Sequence, residues 1–131
     1  MIKLILGLKG SGKTKTLIDM ANDAAKENGS TVCLEKGNKL TLDITHEVRL
    51  INTDDYEVTT LDEMYAFIGG ICASNYDVNT ILIDSILKIC TDDMTALGAF
   101  LDKINKIEDT KFVITVSADI SAANDEVKKY L

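Results

Sequence analysis

The chain has 131 residues, 46% hydrophobic and 27% charged, and its 21 acidic residues outnumber 14 basic ones for a net charge of −7. That length predicts one domain, 1–131, built on one core, and the composition excludes disorder through the bulk of the chain. The acidic balance argues against a broad basic face for nucleic acid, and no apolar run is long enough for a membrane span or a signal peptide, so a cytoplasmic protein is expected.

In chain order, strand and helix signals alternate. Ile2 to Leu6 is an apolar run ending at Gly7, which predicts a buried strand. Residues 13 to 28 place Leu17, Ile18, Met20, Ala21, Ala24 and Ala25 at helical spacing, and Asn28-Gly29 is the stop signal. Thr31 to Glu35 predicts a second strand, followed by the turn Lys36-Gly37-Asn38. Lys39 to Ile44 alternates apolar residues at Leu40, Leu42 and Ile44, and Val48 to Asn52 is again extended, so the stretch 39–52 is expected to add antiparallel edge strands.

Thr60-Leu61-Asp62-Glu63 has capping-box spacing and opens a helix with Leu61, Met64, Tyr65, Ile68 and Cys72 on one face. Gly69-Gly70 marks either close packing on the sheet or a break near residue 70. Ile81-Leu82-Ile83 predicts a buried strand bounded by Asp84, residues 92 to 107 an amphipathic helix, Phe112 to Val116 the last strand, and 120 to 130 a terminal helix. Strands alternating with helices imply parallel crossovers and a layered α/β fold.

Residues 7 to 14 read Gly7-Leu8-Lys9-Gly10-Ser11-Gly12-Lys13-Thr14, the Walker A pattern G-x-x-x-x-G-K-[ST]. Its glycines let backbone N–H groups converge on an anion, the following helix adds its N-terminal N–H groups, Lys13 reaches the β and γ phosphates, and the Thr14 hydroxyl ligates Mg²⁺. The motif follows a strand and opens a helix, which is the context it requires.

On this loop and its setting the chain resembles the P-loop NTPase superfamily, and within it the recombinase-like ATPase branch. The resemblance implies a three-layer, mainly parallel sheet with helices on both faces. Its strand order would run from the strand at residue 2 to 112, then 81, then 31, with the ligand at the carboxyl ends. It also implies nucleotide contacts from Gly7, Gly10, Ser11, Gly12, Lys13, Thr14 and Lys15. Mg²⁺ would be held by Thr14 and by a Walker B acid, Asp84, at the tip of Thr80-Ile81-Leu82-Ile83. The residue after Asp84 is Ser85, where many hydrolysing members carry Glu. The recombinase-like members take that acid from the end of the second strand, which is Glu35 here, and sense the γ phosphate from the position of Ser117, with Asp119 a second polar candidate. The signature lysine of DNA-partitioning members falls at Leu8, and Lys9 is read as a solvated lysine.

The expected ligand is therefore a Mg²⁺-nucleotide, ATP in preference to GTP. Asn105-Lys106-Ile107-Glu108 has the outline of a guanine-reading motif but falls in a helix and ends in Glu. Two functions stand side by side: a Mg²⁺-dependent triphosphatase with Lys13 and Glu35 at its centre, and a nucleotide-binding switch or assembly module without turnover. A small-molecule kinase is the third, disfavoured because no Arg-bearing lid segment exists. Thirteen of the basic residues are lysine, and Arg49 is the only arginine available as a finger. The partner is the nucleotide, with a homo-oligomer or protein partner left open. Cys33, Cys72 and Cys90 show no metal spacing and are expected to be reduced and buried.

Overall fold

The computed structural model describes residues 1–27 and 29–131, so the stop signal read at Asn28 lies outside the described residues. Five strands, β1 (Ile2–Gly7), β2 (Ser30–Glu35), β3 (Arg49–Asn52), β4 (Val78–Ile83) and β5 (Lys111–Ser117), form one sheet in the order β1-β5-β4-β2-β3. Every pairing in it is parallel. The order β1-β5-β4-β2 is the one the resemblance implied.

The helices are α1 (Lys13–Ala24), α2 (Leu61–Ser74), α3 (Ile86–Ile89), α4 (Met94–Ile104) and α5 (Asp125–Lys128). Strand side chains alternate between two cores, as a pleated sheet covered on both faces requires. Val32, Leu34, Ile81, Ile83, Phe112 and Ile114 face the larger core with α2, α4 and α5. Cys33, Leu82 and Val113 face the smaller one with Leu17 and Ala21 of α1.

The expected antiparallel edge over 39–52 is corrected. Residues 49–52 do form the edge strand, but β3 runs parallel to β2, pairing Val32 with Arg49 and Glu35 with Asn52. Lys39 to Ile44 is not a strand. Ile44 N–H donates to Leu40 O at 3.1 Å, a helical-type turn that buries Leu40 and Ile44 and leaves Leu42 98% exposed. The apolar spacing that matters is therefore i to i+4, not alternation. The Glu35 carboxylate captures the Lys39 and Leu40 N–H groups that a strand ladder would need. Asn22 of α1 then ties the segment down by donating to Asp43 O and accepting from Thr45 N–H. A parallel β2–β3 pair needs a crossover, and 36–48 supplies it on the α1 face.

The capping box of α2 is present in full, with the Thr60 hydroxyl accepting from Glu63 N–H at 3.1 Å and the Glu63 carboxylate accepting from Thr60 N–H. Helix α2 runs through Gly69 and Gly70 without a break, and a Cβ at either would meet open space, so neither close packing nor a helix end accounts for the pair. The first helix ends at Ala24, earlier than expected, and the fourth is shorter than 92–107. The terminal helix expected over 120–130 divides into a 3-10 turn at Ile120–Ala122 and the single turn α5, because Asn124 interrupts it as a new N-cap. Among the described residues no helix is long and apolar enough to cross a membrane.

Candidate functional site

At the carboxyl end of the sheet, β1 passes into the loop Leu8–Gly12 and then into α1. Gly10 and Gly12 have φ of 86° and 85°, left-handed values that L side chains rarely adopt. Gly12 occupies the N-cap of α1 without a side-chain cap, so the first N–H groups of the helix are left to face a ligand. Ser11 N–H closes the turn onto Leu8 O at 3.1 Å, and a Cβ on Gly7 would run into the Ser11 hydroxyl. Lys13 is only 8% exposed and lies along the loop, its Nζ donating to Leu8 O at 3.5 Å.

Asp84 follows β4, and its Oδ1 accepts from the Thr14 hydroxyl at 3.3 Å across 70 residues of sequence. Two hard oxygen donors thus converge beside the loop. That donor set fits Mg²⁺, which takes one or two protein oxygens and completes its shell with water and phosphate. Among the described residues no cluster of three or more His, Cys, Asp or Glu side chains offers an all-protein metal cage.

Sequence reasoning missed Thr115. This buried β5 hydroxyl donates to Asp84 Oδ1 at 2.8 Å and accepts from Ser85 N–H at 2.7 Å. It therefore fixes both the acid and the turn after it, where Ser85 takes a left-handed φ of 54°. The available signal was a threonine inside the apolar run Phe112 to Val116.

Glu35 ends β2 and is 3% exposed. Its two oxygens accept from Lys39 N–H at 3.0 Å and Leu40 N–H at 3.2 Å. Burial pushes its carboxyl above the ordinary range, with the two N–H donors pulling partly the other way. Glu35, Lys13, Thr14, Asp84 and Ser117 line one cleft of about 400 Å³, together with Lys9, Gly10, Lys36, Lys39, Leu40, Ser85 and Lys88. Ser117 sits at the tip of β5 in register with Gly7.

Other residues singled out lie elsewhere. Lys15 turns outward to Asp19 at 3.5 Å and borders a shallower depression with Gly10, Gly12, Lys13 and Thr14. Asp119 caps the 3-10 turn that follows it, accepting from Ser121. Arg49 is exposed at the start of β3, and the strand rise puts it about 10 Å from the cleft end of that strand. Asn105 is the C-cap of α4, and neither it nor Lys106, Ile107 or Glu108 lines the cleft.

No protein-family model matches the chain, and no curated protein matches it in sequence. Among solved structures it is similar to the flagellar accessory protein FlaH from Methanocaldococcus jannaschii, with a TM-score of 0.64 and 14% sequence identity. The match covers 98% of this chain and 65% of that one, so the chain spans just under two thirds of its structural neighbour. At this identity the likeness speaks to architecture, and with the strand order and the loop it establishes a P-loop NTPase-like α/β fold.

Proposed function

We propose that residues 1–131 act as one Mg²⁺-nucleotide-binding unit that hydrolyses a nucleoside triphosphate, ATP in preference to GTP. The observation that carries this reading is the convergence of Thr14 and Asp84, 3.3 Å apart, beside a left-handed glycine loop and the buried Lys13. In this reading the N–H groups of the loop and of α1 cradle the phosphates, and Lys13 spans the β and γ groups. Thr14 and Asp84 would hold Mg²⁺, which when bound neutralises charge on the phosphate oxygens. Glu35 orients a water and accepts its proton as the water oxygen bonds to the γ phosphorus and the bond to the β-bridging oxygen breaks. Its raised carboxyl pKa and its place in the cleft support that role. Ser117, level with Gly7 at the tip of β5, would sense the γ phosphate in this reading.

A second reading, a binding switch without turnover, is favoured by one observation: both oxygens of Glu35 already serve backbone N–H groups, and Ser85 supplies no acid in its place. Phosphate release from purified protein with MgATP and MgGTP, run beside Glu35→Gln, tests the two. Turnover that disappears in Glu35→Gln supports hydrolysis through Glu35. Tight binding with no turnover selects the switch, and turnover indifferent to Glu35→Gln removes Glu35 as the base.

A further inference from the structure

Five of the lysines line the one cleft, on a protein whose net charge is −7. Two of them are accounted for. Lys13 belongs to the phosphate loop, and Lys36 is paired with Asp54 at 2.8 Å. Among the described residues, Lys9, Lys39 and Lys88 make no ion pair.

Lys39 and Lys88 come from different elements, the crossover after β2 and the short helix α3 after Asp84. Both nevertheless line the cleft beside Lys9, Lys13 and Asp84, and Lys39 holds Lys88 below the ordinary lysine range. Asp84 acts on Lys88 in the opposite sense, and Lys9 adds a further like charge. Two exposed ammonium groups lining one cleft repel unless an anion sits between them. Both are held near the mouth by anchored backbone. Lys39 N–H is fastened to Glu35, and Lys88 N–H donates to Ser85 O at 2.9 Å.

We propose that Lys39 and Lys88 together bind the terminal phosphate of the nucleotide held by the loop, so that the cleft distinguishes a triphosphate from a diphosphate. The pair supplies in cis the cationic clamp that Arg49, at the far end of β3, is not placed to give. Glu35 and Asp84 lie in the same cleft as the pair, so the phosphate it draws in arrives beside the acid and the metal-side oxygens. The inference rests on the nucleotide-binding reading above.

The test is equilibrium binding of a Mg²⁺-bound non-hydrolysable ATP analogue and of MgADP to the full chain, its Lys39→Ala/Lys88→Ala variant and its Lys13→Ala variant. The double variant should lose at least about tenfold in triphosphate affinity while its diphosphate affinity stays within about twofold, as expected for lost charge-assisted contacts to one phosphate. Lys39→Arg/Lys88→Arg should restore the preference and guards against a defect of folding. Equal losses for both nucleotides, or no loss for either, overturn the lysine clamp while leaving the loop reading intact, provided Lys13→Ala still abolishes binding. Failure of the unaltered chain to bind either nucleotide overturns both.

Discussion

The Thr115 hydroxyl donates to Asp84 Oδ1 at 2.8 Å while receiving the Ser85 N–H at 2.7 Å, so one buried side chain from β5 sets the aim of the acid at the end of β4. Parallel pairing of β4 with β5 makes this possible, with Ile83 level with Ile114. Thr115→Val keeps the shape and removes both bonds. It should cost about 1–3 kcal/mol of stability, because the Ser85 N–H loses its partner. If Asp84 holds Mg²⁺ as proposed, loss of its outer partner should also weaken Mg²⁺ affinity about 10- to 100-fold. Chemical denaturation and Mg²⁺ titration of nucleotide binding measure the two effects separately.

Lys13→Ala and Asp84→Ala address the proposed nucleotide site directly. Each should abolish Mg²⁺-nucleotide binding or turnover while the protein remains folded by circular dichroism. Normal affinity in a folded Lys13→Ala variant would sink the phosphate-loop reading.

The capping box of α2 predicts a pH-dependent contribution to stability. Hydrogen bonds from Thr59 and Thr60 hold the Glu63 carboxyl below its ordinary range. A depressed carboxyl contributes stability that is present above its unfolded value and is lost as pH falls through the folded one. The melting-temperature gap between wild type and Glu63→Ala should therefore be open at neutral pH and narrow in acid. Thr60→Ala, which removes the other half of the box, should cost about 1 kcal/mol.

The cysteines should separate by reactivity. Cys33 and Cys90 are fully buried, and burial pushes both thiols up, Cys90 to about 12. Cys72 is partly exposed on α2. A thiol reagent at pH 8 should modify Cys72 alone in the native protein and all three after unfolding, counted by mass spectrometry. Rapid native labelling of Cys33 would contradict the packing of β2 against α1.

What could be read from the chain alone was what local backbone chemistry decides. A left-handed glycine loop between a strand and a helix needs contiguous residues, and so does a capping box, so Gly7 to Thr14 and Thr60 to Glu63 were legible as they stand. Buried parallel strands read as short apolar runs, which placed β1, β2, β4 and β5. Tertiary structure decided the rest. Leu40, Leu42 and Ile44 alternate like a strand, yet Glu35 takes the N–H groups of Lys39 and Leu40, and the segment turns instead. That capture makes β3 a parallel edge rather than an antiparallel one. Thr115 became a partner of Asp84, and Lys39 came to line one cleft with Lys88, only because sheet order brings together residues 31 and 49 positions apart, and pairing across such separations leaves no mark in the spacing of one sequence.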